Sequence, residues 1–386
     1  MSRNPRNHTQ TLKYRLDSLS AEKRALLEQR LEQPQSSATR EIAETLLANG
    51  ITHIYSLCGG PIQKTLAMAA SSGIRVIGVR HQQAAVMMAL AQNYIAGKTC
   101  AAVIISAGPA VTNAATGLLV AKDNGWPVVV LAGRVAPSVH VHGQFQELDG
   151  AALYKSITKW SSCISQTADI SATLNKAFEV ATAGRPGPVY LDITEDALTG
   201  KLEKKICKDE AKPVKQEPRP DPGKIQQVAT LLRNAHRPAI IAGKGLRWHT
   251  DPDLVGQLVE QQQIAFISSP MGRGIIPDTH ELCFNHARVQ VQSGADVILV
   301  LGARLNWTFR HGGLMGPGTQ VIHVDIDPDE IKNNDTVNLG LVMDSGDFLT
   351  ALIDELSTPP EKDTLAQRHS WHQLLNDESS KRKNLI

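Results

Sequence analysis

The residues best suited to chemistry lie in three short segments rich in glycine and side-chain amides. Cys58-Gly59-Gly60-Pro61 is a tight turn, Gly108-Pro109 leads into Thr112-Asn113, and His142-Gly143-Gln144-Phe145-Gln146-Glu147 is polar and aromatic. Glycine lets the backbone approach a ligand closely, and a side-chain amide offers a donor beside an acceptor. Together the segments suit a planar heterocycle with donors and acceptors on its edge. Each segment taken singly reads first as an ordinary strand-to-helix turn. His140 and His142 alternate, so an extended backbone puts both on one face. With no third ligand near them, proton shuttling or surface exposure fits better than a metal pair.

Hydrophobic patterning predicts the elements that hold these segments. Helical spacing at 40–49, 62–71, 82–96 and 112–123 alternates with short apolar strands at 53–57, 75–79, 100–106, 128–133 and 188–193. Continuously apolar strands between helices indicate a parallel sheet covered on both faces. Each of the three segments then follows a strand end, where open α/β sheets bind ligands. A second series has strands at 238–243, 264–268, 297–301 and 321–325 and a helix at 345–356. Between the two series, 201–224 carries six lysines ahead of its Pro-Arg-Pro-Asp-Pro-Gly stretch, and prolines at 213, 218, 220 and 222, the composition of a solvated linker. The expected fold class is therefore α/β, with two doubly wound parallel-sheet domains.

Several linked motifs then become recognisable. Gly78-Val79-Arg80-His81-Gln82-Gln83-Ala84-Ala85, Ala107-Gly108-Pro109-Ala110-Val111-Thr112-Asn113, Phe145-Gln146-Glu147 and Gly184-Arg185-Pro186-Gly187-Pro188-Val189 occur in that order. The series resembles the thiamin-diphosphate enzymes of the acetolactate synthase type. Pro270-Met271-Gly272-Arg273-Gly274 and Leu301-Gly302-Ala303-Arg304-Leu305-Asn306-Trp307 look like the middle domain of the 2-hydroxyacyl-CoA lyase and oxalyl-CoA decarboxylase branch. Pattern and composition give an appended helix and polar linker at 1–37 and the linker at 201–224, and the resemblance implies a pyrimidine-binding domain at 38–200. A Rossmann-like middle domain at 225–360 and a charged C-terminal tail at 361–386 complete the expected organisation.

For the site, the resemblance implies cofactor contacts from Cys58, Gly59, Gly60, Pro61, Gln82, Gly108, Pro109, Asn113 and Phe145. Catalytic roles would fall to Gln82, Glu147, Gln146 and His81. The family places a glutamate where this chain has Gln82. A carboxyl there shares a proton with the aminopyrimidine ring, whereas an amide holds the ring without titrating near neutral pH. Tolerated slow activation, help from His81 or Glu147, and a catalytically silent scaffold are the three explanations, in which tolerance ranks first. In the second domain, Gly243, Gly245, Arg304 and Asp325 form a candidate nucleotide site for FAD, ADP or part of CoA; an empty structural domain is an equal alternative.

No third, diphosphate-binding domain with a Gly-Asp-Gly…Asn signature follows in these residues. The expectation is thus a subunit of a split hetero-oligomer, in which a separate chain supplies that domain and its Mg²⁺. Its substrate would be a 2-keto acid or an acyl thioester. Leu19-Ser20-Ala21-Glu22-Lys23-Arg24-Ala25-Leu26-Leu27 also resembles segments flanking nonribosomal peptide synthetase modules, which points to a carrier-protein-bound substrate. An amphipathic helix packed on its own domain fits that stretch as well.

Composition narrows the rest. The chain has 386 residues, 42% of them hydrophobic, and a net charge of +2, which gives nucleic acid or a membrane surface no general attraction. Five scattered cysteines form neither a metal motif nor a disulfide framework. The N-terminal stretch lacks the apolar run of a signal peptide, so the cytoplasm is the expected compartment.

Overall fold

The computed structural model describes residues 20, 37–135, 144–200, 220–248, 251 and 253–383. His140, His142, Cys207 and the leucine-rich stretch at 12–33, apart from Ser20, lie outside the described residues. The first unit runs α1 (Ser37–Ala48), β1 (His53–Leu57), α2 (Gln63–Ser71), β2 (Arg75–Gly78), α3 (Gln82–Ala96), β3 (Ala101–Ile105), α4 (Pro109–Asn124) and β4 (Val128–Arg134). It continues through α5 (Gly150–Tyr154), β5 (Trp160–Ile164), α6 (Ile170–Thr182), β6 (Pro188–Thr194) and α7 (Glu195–Thr199).

All six strands are parallel, in the order β2-β1-β3-β4-β6-β5. Ile42, Leu46, Leu66 and Leu174 bring α1, α2 and α6 onto one face of this sheet, whereas Val86, Leu90, Val111 and Leu118 bring α3 and α4 onto the other. Strand order reverses at β1, which has β2 on one side and β3 on the other. The loops leaving β1 and β3 therefore part to opposite faces and open a crevice between them. The buried side chain of Asn93 locks α3 to the sheet. Its Oδ1 accepts from the backbone N–H groups of Cys100 and Ala101 at 2.9 and 2.8 Å, and its Nδ2 donates to the carbonyls of Ala101 and Pro127.

The second unit runs α8 (Pro222–Asn234), β7 (Pro238–Ala242), α9 (Leu254–Gln262), β8 (Ala265–Ser268), α10 (Arg288–Gly294), β9 (Val297–Leu301) and β10 (Gln320–Asp325). It ends with α11 (Pro328–Lys332), β11 (Leu339–Val342), α12 (Ser345–Glu355) and α13 (Lys362–Lys383). Its five parallel strands stand in the order β11-β10-β9-β7-β8.

Two stretches differ from the sequence expectation. Pro222, expected in the linker, starts α8, and the Asp221 side chain caps that helix by accepting from Gly223 N–H at 2.9 Å. The segment expected as a charged tail is the 22-residue helix α13. Arg368, Trp371, His372 and Leu375 recur at helical spacing and are 0%, 6%, 6% and 2% exposed, so this side is buried on the second core. The Arg368 guanidinium donates to the carbonyls of Leu232 at 2.6 Å and Ala235 at 3.0 Å, and also to that of Gln262. It thereby caps the carboxyl ends of α8 and α9 together, where helix carbonyls lack partners.

The two units meet through polar contacts. Tyr94 Oη donates to Met271 O at 2.9 Å, and the Arg247 guanidinium lies 4.4 Å over the Tyr94 ring while its Nε donates to Tyr94 O. Arg185 of the first unit pairs with Asp327 at 3.2 Å and Glu330 at 2.7 Å of the second. Among the described residues no helix is long and apolar enough to cross a membrane.

Candidate functional site

The described parts of the three glycine and amide segments, residues 58–61, 108–113 and 144–147, follow β1, β3 and β4 around this crevice, and the third touches the second at Gly108. After β1, Gly59 passes against Ser106, so closely that a Cβ would fall 2.3 Å from Ser106 Oγ. Past β3, Gly108 takes a φ of +57°, and a Cβ there would lie 2.6 Å from Gln146 Cβ. Only glycine combines that backbone angle with that approach. Gln146 itself has φ +63°, so the loop presenting Phe145 and Glu147 is folded tightly over the start of α4.

Gln82 and Asn113 link the two helices beside the crevice. Gln82, only 6% exposed, is the first residue of α3, and its Oε1 accepts from Asn113 Nδ2 at 3.0 Å. His81 caps the same helix, its Nδ1 accepting from Gln83 N–H at 3.2 Å. That helix-cap contact, rather than contact with another candidate catalytic group, is the role the structure displays for His81. Cys58, Asn113 and Glu147 are exposed, and Phe145 is 83% exposed, so the loop offers its aromatic and acidic side chains outward.

A charged cluster at the base of this loop was not read from the sequence. Arg134 at the end of β4 pairs with Asp149 at 3.4 Å and with Asp192 at 3.6 Å. Asp192 is 1% exposed, accepts from Tyr190 Oη at 2.6 Å and from Ala151 N–H at 2.9 Å, and is pushed above the usual carboxylate range by burial. The available signal was a lone acid inside the apolar strand 188–194.

Gly245, Arg304 and Asp325 also come together, in a cleft between the units that Arg185, Lys244 and Glu330 complete, whereas Gly243 is not part of its lining. The glycine amides are not free: Gly243 N–H donates to Leu301 O at 2.9 Å and Gly245 N–H to Gly302 O at 3.0 Å. Arg304 pairs with Glu330 at 3.0 Å and also donates to Asp123 O. Burial raises the Asp325 carboxyl to about 6 and lowers the Lys244 amine to about 8. A nucleotide entering here would compete with these contacts.

The first unit is thus a parallel α/β sheet with a strand-order reversal, bordered there by close-packed glycines and a paired amide. Sequence comparison supplies the family. The thiamine pyrophosphate enzyme N-terminal TPP binding domain matches residues 37–153, and the thiamine pyrophosphate enzyme central domain matches residues 225–352. The chain belongs to this family through those two domains. It is 33% identical over 345 residues to oxalyl-CoA decarboxylase of Escherichia coli strain K12, covering 87% of this chain and 60% of that protein. It is 32% identical over 338 residues to 2-hydroxyacyl-CoA lyase of Arabidopsis thaliana, covering 86% and 58%. Against the acetolactate synthase large subunit of Buchnera aphidicola it is 32% identical over 333 residues, covering 83% and 58%. The chain thus spans about 60% of the length of the relatives it matches.

The residues of the crevice fit the aminopyrimidine of thiamin diphosphate. Gln82 and Asn113 would hold a ring edge through their amides, and a Cβ at Gly60 would meet nothing within 4 Å, so that turn leaves room beside its backbone. Among the described residues no group of three or more His, Cys, Asp or Glu is placed to hold a metal ion.

Proposed function

We propose that this chain supplies the pyrimidine-binding half of a thiamin-diphosphate site in a cytoplasmic enzyme that makes or breaks a carbon–carbon bond beside a carbonyl. The observation that carries this reading is the Gln82–Asn113 amide pair beside the β1/β3 crevice of the N-terminal TPP-binding domain. The bound cofactor would supply a nucleophilic carbon and an electron sink for the carbonyl substrate. Gln82 would hold the ring edge, Gly59, Gly60 and Gly108 would let the backbone close around it, and Gln146 with Glu147 would face the substrate. A diphosphate- and Mg²⁺-binding domain on a separate chain would complete the site. The exposed apolar side chains Met88 on α3 and Leu119 on α4, each within two turns of the amide pair along its helix, offer that domain a surface.

The named activities of the relatives favour a 2-hydroxyacyl or oxalyl thioester as substrate, with decarboxylation of a 2-keto acid and acyl transfer as the other route. The leucine-rich segment near residue 20 favours a carrier-protein-bound form within a specialised biosynthetic pathway. Native mass spectrometry of the tagged chain from its source tests the proposal. A particle holding thiamin diphosphate, Mg²⁺ and a second chain of roughly domain size supports it. A particle without the cofactor overturns it, and cofactor held by this chain's own continuation overturns the two-chain arrangement.

Gln82 also favours a second reading, a scaffold subunit that keeps the fold without the chemistry. Hydrogen exchange at the reactive carbon of the cofactor, no faster in the assembled complex than free in solution, would establish the scaffold.

A further inference from the structure

We propose that Asn113 is a positioning residue that turns Gln82 into a hydrogen-bond donor toward the cofactor's ring nitrogen, so that the site holds the aminopyrimidine unprotonated. This rests on the cofactor reading above and goes further, to the protonation state that the site selects. A glutamine side chain has one accepting end and one donating end, and what holds one end fixes which end faces the ligand. Asn113 Nδ2 donates to Gln82 Oε1 at 3.0 Å, so the accepting end is engaged by the protein. The Nε2 hydrogens remain for the ring. A ring nitrogen facing an N–H group accepts through its lone pair and has no acceptor for a proton of its own.

The helix geometry works in the same direction. Gln82 is the first residue of α3, and Asn113 lies in the early turns of α4, which starts at Pro109. Both helices bring their amino ends, which carry partial positive charge, to this edge of the sheet. A protonated ring would add a cation there. Burial of Gln82 at 6% exposure strengthens each of these preferences, because water is largely kept from substituting for the missing partner.

The experiment uses the full chain in its native complex, loaded with thiamin diphosphate carrying ¹⁵N at the ring nitrogen. In the wild type, at neutral pH, the ¹⁵N resonance is expected at the position of an unprotonated, hydrogen-bonded nitrogen. Asn113→Asp offers an acceptor to Nε2, reverses the Gln82 amide and turns Oε1 to the ring. The resonance should then move to the protonated position, with cofactor affinity changed about tenfold. The new carboxylate alone could also attract a proton, so the double variant Gln82→Met with Asn113→Asp separates charge from orientation. In the double variant the resonance should return to the unprotonated position. A protonated nitrogen in the wild type, or a shift that persists in the double variant, overturns the proposal while leaving the cofactor reading intact. A wild-type complex that takes up no cofactor overturns that reading, and this inference falls with it. Thermal melting of each variant confirms that the fold is retained.

Discussion

Replacing Gln82 with glutamate isolates what one titrating group does in the crevice. The side chains have nearly the same volume, and Asn113 can donate to either, so packing is held constant. A positioned acid–base group is worth roughly 10²–10⁴ in rate. Gln82→Glu should therefore raise hydrogen exchange at the reactive carbon of the bound cofactor by that order, as read by proton NMR; an unchanged rate would show that proton relay does not limit this site. Asn113 and the glycine turns stood out in the sequence as small and amide residues after apolar strands, and Gln82 stood out through the family resemblance. The partner each one touches was not legible. The Asn113–Gln82 bond joins residues 31 positions apart, and no local pattern encodes such a pairing. Nor did His81 reveal that it caps α3, since a histidine before a helix reads the same whether it caps or catalyses.

At the scale of elements, the loops of the crevice depend on close backbone approach. Gly108→Ala would place a Cβ 2.6 Å from that of Gln146 at a φ of +57°. It is expected to destabilise the chain by about 1–3 kcal/mol and to weaken cofactor binding, measured by urea unfolding and by titration of the loaded complex. The strands and helices that were named were legible nearly to their ends, whereas α6, α8 and α9 went unread although their apolar residues recur at helical spacing. The strand β5 was missed because its edge position leaves Trp160, Ser161, Ser162 and Cys163 only half-buried, without an apolar run to mark it. The helix α13 was missed because its sequence is charged almost all round, and its most fully buried side chain is itself an arginine. Arg368→Ala would leave helix-end carbonyls of α8 and α9 buried without their donor. A loss of about 2–4 kcal/mol is expected in the same unfolding experiment.

Across the whole molecule, the cleft between the units ties stability to pH. Burial raises Asp325 from 3.8 to about 6, so between those values the folded chain holds a proton that the unfolded chain has released. Stability contributed by this group is therefore lost as pH rises through that window. Asp325→Asn retains an oxygen for the Asp327 N–H and should flatten that loss, raising stability at pH 7 by on the order of 3 kcal/mol with little change near pH 4. Thermal melts of wild type and variant across that range provide the comparison. Two separate α/β units were legible from the interrupted pattern of strands, but their contact was not. Arg185 and Glu330 stand 145 positions apart, and nothing in either neighbourhood advertises the other. The clamp that Arg368 forms also bears on how this architecture can be cut and recombined. The match to the central domain stops at residue 352, yet carbonyls at 232, 235 and 262 find their donor at 368. A transplanted or separately expressed second unit must therefore reach from Asp221 to Lys383; the smallest exchangeable cassette is longer than its family match.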